Sequence, residues 1–417
     1  MLKGWIAEFY VRPVYHFTFY GFDWIRPFSE MGMYLVFGVM ALASVGILLG
    51  LFYRLSTITF LITFLYVELI DKTYYLNHYY FVTLVAFLLI LVPANRYFSI
   101  DVWRKPSIER THVPGWTIVI FKLQFFIVYF FAGISKINHD WLLEAMPLKI
   151  WLPANEHLPL IGQLLKEEWF AYLCSWFGAL FDLTIVFFLL NDKTRSIAYV
   201  FVVVFHVFTA LLFKIGMFPY IMMLVTVIFF SEQFHCKVIE KLRNLFRIKR
   251  TNETDRTLVL QPVQRNFILG FLTLYFAVQF TLPFRYLLYP GELFWTEEGY
   301  RFSWRVMLME KGGAAFFYVE DPIEKRKQEV ISTGILTPLQ EKMIATQPDM
   351  ILQYAHIIDA EYKKQGIQNP IVTVQSYVTL NGRGSRLFID STVDLSNEEE
   401  SFAHKKWILS PNKNEVK

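Results

Sequence analysis

Phe130-Phe131-Ala132-Gly133-Ile134-Ser135-Lys136-Ile137-Asn138-His139-Asp140-Trp141 closes an apolar run that begins near residue 115. A helix of about 20 such residues crosses the roughly 30 Å hydrocarbon layer of a bilayer. Where the run ends, an ammonium, an amide, an imidazole, a carboxylate and an indole follow in quick succession. Lipid-facing sequence has no use for that set, because each polar group needs a partner or water once it leaves bulk solvent. The stretch marks both a membrane boundary and the first candidate for chemistry.

Working outward, runs of the same kind recur along the chain. Its 417 residues are 55% hydrophobic and 18% aromatic, with mean hydropathy +0.36 and 18% charged residues, against about a quarter charged in soluble proteins. This is the composition of an integral membrane protein. Eight spans are expected, near 33–53, 56–70, 79–94, 115–135, 169–190, 196–213, 217–231 and 266–289. Residues 12–30, with Arg12, His16, Asp23, Arg26 and Glu30 among aromatics, predict an amphipathic helix in the membrane interface. The 42 Phe and 23 Tyr suit aromatic belts, and a net charge of +4 is too weak to indicate nucleic acid. Cys174 and Cys236 sit in different parts of the bundle and are not expected to pair. Met1 to Trp5 shows no signal-peptide pattern, so no removed leader is expected.

Basic residues are distributed unevenly between the connections. Arg54, then Arg96, Arg104, Lys105 and Arg110, then Lys193 and Arg195, then the run from Lys237 through Lys249 and Arg250 to Arg265 follow the odd-numbered spans. The other connections hold only Lys72, then Lys136, Lys149 and Lys166, then Lys214. The positive-inside rule puts the first set in the cytoplasm. The turn 71–78, the stretch around Lys136, the turn 214–220 and everything after residue 290 then share the opposite face. From Trp295 to about Asp394 the pattern alternates as strands do, around a helical segment Pro338 to Lys364 and an Asn381-Gly382 hairpin signal. The expected architecture is a polytopic α-helical membrane bundle of about eight spans (1–290), a non-cytoplasmic extramembrane α+β domain (291–395) and a charged, partly disordered tail (396–417).

Three polar-aromatic segments on that face are candidates for function. Lys136 either snorkels to the interface or, packed under the outer domain and away from water, serves as a general base. Asn77 and His78 offer donors and acceptors suited to a quinol hydroxyl or a carboxylate, and also fit a structural role among tyrosines. His206 lies inside a span, where a polar side chain is expensive. The turn Phe213 to Tyr220 either breaks a helix or lines a site for a flat apolar ring. No histidine pair has metal-ligand spacing, and no phosphate loop, dinucleotide fingerprint or nucleophile elbow is present. An exogenous apolar cosubstrate is the natural partner of such a chain.

Taken together, these segments resemble the vitamin K-dependent γ-glutamyl carboxylases and their bacterial relatives, whose membrane core is the horizontally transferred transmembrane (HTTM) domain. The motifs run in order: Asp71-Lys72-Thr73 with Asn77-His78 and Tyr80; Ala94-Asn95 with Tyr97 and Ser99-Ile100-Asp101; Ala132-Gly133-Ile134 with Lys136 and Asp140-Trp141. Phe205-His206, Leu212-Phe213, Ile215-Gly216-Met217-Phe218 with Tyr220, and Leu282-Pro283 follow. Phe302-Ser303-Trp304, Gln353-Tyr354-Ala355 and Arg386 to Asp390 complete the set.

The resemblance implies that Lys136 deprotonates reduced vitamin K, and that oxygenation of the quinol to its 2,3-epoxide yields a base strong enough to take a γ-proton from Glu. The resulting carbanion then adds CO2. The same resemblance implies that His78 handles the glutamyl group and that Asn77, Gly216, Met217 and Phe218 lie near the quinone, with His206 and Tyr220 assigned to the same site. Substrate contacts are expected from Asp71, Trp141, Arg285, Trp304, Arg305, Arg383 and Arg386. Expected partners are a Glu-containing polypeptide and membrane lipid, with no metal. Animal members continue well beyond the position of Asp390, in a region that helps grip a propeptide. Two other readings use the same features: a quinol epoxidase with no protein substrate, and a non-catalytic quinone- or lipid-binding receptor.

Overall fold

Inside a bilayer every backbone N–H and C=O must be satisfied within the chain, so apolar runs become helices. The computed structural model describes residues 4–213, 215–247 and 256–411. Lys214, Lys249, Arg250 and the end of the charged tail lie outside the described residues. Six helices are long and apolar enough to cross a membrane. They are α1 (Glu30–Leu49), α2 (Tyr53–Ile70), α4 (Trp116–Ser135), α5 (Glu168–Leu190), α6 (Arg195–Leu212) and α9 (Pro262–Thr281), the last extended by a 3-10 turn to Leu288.

Two of the eight expected spans take another form. The third is α3 (Asn77–Leu91), whose 15 residues reach only about 22 Å. The seventh is α7 (Phe218–Val225) with a 3-10 turn to Phe229, bent by 111° from the polar helix α8 (Glu232–Leu245) that Ser231 caps. Counting that bent pair as one crossing gives up to seven spans. Helix α4 is the axis of the bundle, 61% buried over its apolar window against 17–44% for the other five.

The amphipathic helix expected over residues 12–30 does not form. After a π-helical turn at Ala7–Val11 the chain runs irregularly to Ser29. Its backbone acceptors are occupied by side chains far along the sequence: Gln340 Nε2 donates to the Tyr15 carbonyl and Gln353 Nε2 to the Thr18 carbonyl, each at 2.9 Å. Phe17 is fully buried in the core of the C-terminal domain. Tertiary packing outweighs the local preference for a helix.

The C-terminal domain is a four-stranded antiparallel sheet, order β2-β1-β3-β4, from β1 (Lys311–Asp321), β2 (Arg326–Val330), β3 (Ile371–Leu380) and β4 (Arg386–Leu387). Every second residue of β3 is buried, Val372, Val374 and Val378 completely, as period-two patterning requires. The buried core takes in Met350, Ile351 and Tyr354 of the covering helix. The expected helical segment divides into α10 (Pro338–Thr346) and α11 (Pro348–Lys364), because Pro348 has no N–H to continue the first helix. Asn381 and Gly382 adopt φ +50° and +75°, and Arg383 N donates to Leu380 O at 3.1 Å, closing the expected hairpin turn. The charged tail is ordered as far as described: Asp390 N donates to Trp407 O and Trp295 Nε1 to Leu409 O. The two free cysteines do not pair.

Polar side chains from the membrane turns dock this domain. Asp71 accepts from Gln340 Nε2 at 3.0 Å, and Asp140 accepts from Asn381 Nδ2 at 2.6 Å and from Arg383. Trp151 Nε1 donates to Glu310 at 2.6 Å. Asp349 lies between Lys72 Nζ at 3.0 Å and Arg301 Nη1 at 2.5 Å. Burial alone would raise the Asp349 carboxyl, but the neighbouring Arg301 and Lys72 charges hold it far below the usual carboxylate range. At the other end of the bundle, Asp101 accepts from the Phe52 and Tyr53 backbone and Arg243 stacks on Tyr97, drawing the basic connections together.

A carboxylate with a lowered folded-state pKa contributes stability above its unfolded value and loses it as pH falls toward the folded one. Docking of the domain should hold from neutrality down to about pH 4, the ordinary Asp value, and weaken progressively below it. Limited proteolysis between residues 290 and 310 across a pH series, with Asp349→Asn as the comparison, reads this directly; an unaltered acid profile in the variant would contradict it.

Candidate active site

Helix α4 carries Tyr129, Ala132 and Lys136 at i, i+3 and i+7, which puts them on one face. Gly133 lets α5 approach on the adjoining side, since a Cβ there would lie 2.8 Å from the Leu183 backbone nitrogen. The close crossing brings Asp182 to Lys136. Their Nζ to Oδ2 separation is 2.6 Å, and the side chains are 8% and 7% exposed. The lysine folds back along its own helix, with Nζ 3.3 Å from the Ala132 carbonyl and 5.4 Å from the Trp141 ring centre. Trp141 is fixed by its Nε1 donating to the Ser175 carbonyl at 2.9 Å. Lys136 is therefore no snorkelling anchor: its amine points into the bundle.

This pair opens onto a cavity of about 350 Å³ between α4, α5 and α6. Ala132, Trp141, Phe177, Phe205, Phe208 and Phe218 make its walls apolar. A second polar pair sits on the same wall: His206 Nε2 and the Tyr129 hydroxyl are 3.0 Å apart, while the buried His206 Nδ1 has no partner. Leu173, Phe177 and Val204 line the cavity yet are 54%, 41% and 58% exposed, so it reaches the lipid-facing side between α5 and α6. The volume and lining suit a bicyclic apolar ring carrying one or two oxygens.

Across a thin wall lies a second cavity of about 470 Å³, bordered by Ser135, Asn138, Asp140, Tyr286, Arg305 and Arg383. The segment 305–307, which follows a turn at 301–304, borders both cavities and is part of that wall. Val306 and Met307 line the apolar cavity and Arg305 the polar one. Phe302, Trp304 and Met307 all have positive φ, +59°, +60° and +53°, which non-glycine residues adopt only where their surroundings compel it. Here Tyr75 accepts from Phe302 N at 2.8 Å, Asn77 Nδ2 donates to Arg305 O at 2.9 Å, and Trp304 stacks on Tyr80.

The HTTM domain family matches residues 1–234, and the family of the vitamin K-dependent gamma-carboxylase, lumenal domain, matches residues 264–414. The chain belongs to the vitamin K-dependent γ-carboxylase family. Together the two matches leave 29 intervening residues, 235–263, which hold most of α8 and the basic run after it. No solved structure matches the chain. Membership carries a vitamin K-dependent γ-carboxylase type of function, with vitamin K and a Glu-bearing protein as its substrates.

Within this carboxylase fold the expected site residues separate into groups. Lys136, Trp141, His206 and Phe218 line the apolar cavity. His78 lies behind it, in contact with Phe218, whose ring is 5.8 Å from His78 and 5.9 Å from His206. Gly216 takes φ +62° in the turn before α7, while Met217 and Tyr220 are 63% and 50% exposed and turn away. Asn77 holds the wall, Asp71 holds α10, and Trp304 fills the core beside Phe81. Arg305 is buried beside the polar cavity, 4.4 Å over the Tyr286 ring, with no carboxylate partner among the described residues. Arg285 donates to the Arg301 carbonyl, Arg383 is taken by Asp140 and Glu144, and Arg386 reaches the Pro411 carbonyl. His139, Asp140 and Glu144 place ligand atoms within 4.8 Å of one another, although Arg383 already bridges both acids.

Asp182 and Tyr129 were not singled out from the sequence. An acid inside the apolar run 169–190 was the available signal, since intramembrane charges are costly unless paired. Removing one partner of a buried ion pair leaves an uncompensated charge, a loss of about 3–5 kcal/mol. Asp182→Ala should accordingly lower the thermal unfolding midpoint far more than Asp182→Asn, which keeps an acceptor for the Lys136 amine. Equal midpoints for the two variants in detergent solution would contradict the assignment.

Proposed function

We propose that the chain is a membrane γ-glutamyl carboxylase in which the Lys136–Asp182 pair works on reduced vitamin K held in the apolar cavity. The observation that carries this reading is a buried amine, paired with a carboxylate, facing an apolar cavity that reaches the lipid and is one peptide segment away from a polar cavity. The fit to a quinol rests on the donor set: Lys136 at one position and His206 with Tyr129 at another, with the His206 Nδ1 unpartnered. Oxygenation of the bound quinol to its epoxide would supply the base strength that a glutamyl γ-proton requires.

The protein's own tasks are narrower. Acting from the deprotonated form of the pair, a neutral amine beside the Asp182 carboxylate, Lys136 accepts a proton from the hydroxyl within reach of Nζ and so restores the ion pair with Asp182, in a site without competing water. Tyr129 and His206 orient the ring by hydrogen bonds. Phe177, Phe205 and Phe218 exclude water. On the other side of the wall, Arg305 receives the substrate carboxylate, since a buried guanidinium without an acid partner favours an anion. His78, behind Phe218, sets the position of that ring and thereby of the cavity floor. The scarcity of basic residues at this end supports placing both cavities and the C-terminal domain on the non-cytoplasmic face.

Purified protein given reduced vitamin K, oxygen, labelled bicarbonate and a Glu-rich peptide should fix label into the peptide and release epoxide. Lys136→Ala should abolish both products, whereas Arg305→Gln should raise the peptide KM roughly tenfold or more, the worth of a charge-assisted hydrogen bond, with quinol KM unchanged. Undiminished epoxide from Lys136→Ala would remove the lysine from this role. Epoxide formed at full rate with no label fixed on any Glu peptide would reduce the activity to quinol epoxidation.

A further inference from the structure

The end of the bundle opposite the C-terminal domain carries a feature that the carboxylation reading does not use. Helix α8 leaves the preceding apolar helix at 111° and so runs across the bundle end rather than along it. Three faces follow from its 3.6-residue period. His235, Ile239 and Arg243, spaced by four, turn toward the protein, the first two half-buried and the third 8% exposed. Gln233, Lys237, Glu240 and Asn244 form the polar face. Phe234, Val238, Leu242 and Leu245 form an apolar stripe that is 39%, 40%, 37% and 73% exposed, with Lys241 at its edge. The outer side of the stripe is open among the described residues, although Phe234 packs against Phe230 at 4.7 Å between ring centres.

The helix carries Lys237, Lys241 and Arg243 against Glu232 and Glu240. Arg243 rests over the rings of Tyr97, at 5.0 Å, and Phe98, at 6.0 Å, rather than on a carboxylate. Its buried Nε has no hydrogen-bond partner, and neither does the buried Nε of Arg96, the residue next to Tyr97. Among the described residues Lys237 and Lys241 form no salt bridge. The ammonium groups of Lys237 and Lys241 favour an anion, and the apolar stripe favours a nonpolar neighbour. An anionic phospholipid of the surrounding bilayer supplies both in one molecule. An amphipathic helix with lysines bordering its apolar stripe is also the form that lies in a membrane interface.

We infer that α8 is an interfacial helix that binds anionic phospholipid, seating acyl chains along Phe234, Val238, Leu242 and Leu245 and the phosphate headgroup beside Lys237 and Lys241. The site is independent of the catalytic reading, because its readout is lipid retention rather than turnover.

Native mass spectrometry of the purified full chain in neutral detergent, titrated with phosphatidylglycerol or phosphatidylcholine, tests it. Phosphatidylglycerol should be retained in preference. Each cation near a lipid surface is worth about fivefold in affinity, so the double variant Lys237→Gln/Lys241→Gln should bind phosphatidylglycerol roughly 25-fold more weakly while phosphatidylcholine retention is unchanged. Its lipid-free unfolding midpoint should match the parent's; if it does not, the single exposed substitution Lys237→Gln provides the reading, at about fivefold. Equal retention of the two lipids, or an undiminished preference in the variants, would overturn the proposal. Displacement of phosphatidylglycerol by an equal concentration of glycerol phosphate would overturn the lipid assignment in favour of a soluble anion.

Discussion

The structure depends first on the ion pair between Lys136 and Asp182. Each group alone would cost several kcal/mol in the middle of the bundle. Their contact is possible because Gly133 lets α4 and α5 approach closely enough for Asp182 to reach the lysine amine. The pair in turn determines the orientation of Lys136, which folds back toward Ala132 rather than outward to the interface. Once the amine points inward, the space beside it cannot be filled with side chains from lipid-facing positions, and the apolar cavity follows. Gly178 also lines the cavity, where an added Cβ would make ordinary contacts of 3.8 Å with the Trp141 ring and 3.9 Å with the Lys136 chain.

The C-terminal domain is held by a different principle. Polar side chains of the turn 71–77 and of the stretch after α4 reach across to it. Asp71, Lys72, Asn77, Asp140 and Trp151 all reach partners more than a hundred residues away. Hydrogen bonds between buried polar groups fix orientation where apolar contacts would permit sliding. The family motifs at these turns therefore serve assembly as much as chemistry, which explains why Asn77 and Asp71 are found holding backbone and helix rather than facing a cavity.

Much of this was legible in the sequence. Runs of apolar residues marked each membrane helix, and the uneven basic residues predicted which connections gather at which end, as the Asp101 and Asp140 contacts now show. Alternation marked β3, and Asn381-Gly382 its turn. What was not legible depended on partners distant in sequence. Residues 12–30 have the composition of an interfacial helix, but nothing local reveals that Gln340 and Gln353 will take their carbonyls or that Phe17 will enter a core formed by residues after 290. Hydropathy likewise averages over Asp182, because one acid in a long apolar run barely lowers the mean. For the apolar turn after Phe213 composition left a helix break and a ring site both open, and it could not say that Phe218 would line a cavity while Met217 and Tyr220 point the other way.

The wall between the two cavities unites these constraints. A base strong enough for a glutamyl γ-proton would be quenched by water, whereas a polypeptide carboxylate must arrive from water. On the proposed function, the two demands call for adjacent but separate sites. The segment 305–307, which follows a turn at 301–304, borders both cavities, with Arg305 on the polar side and Val306 and Met307 on the apolar side. Left to itself the stretch 302–307 would relax, since three of its non-glycine residues occupy left-handed conformations that cost on the order of 1–3 kcal/mol each. Tyr75 and Asn77 from one membrane turn, Pro283 from the end of α9 and the stacking of Trp304 on Tyr80 hold it in place. The polar turn at residues 71–78 thus acts through the wall: by fixing the backbone at Phe302 and Arg305 it decides which side chain faces the apolar cavity and which faces the polar one.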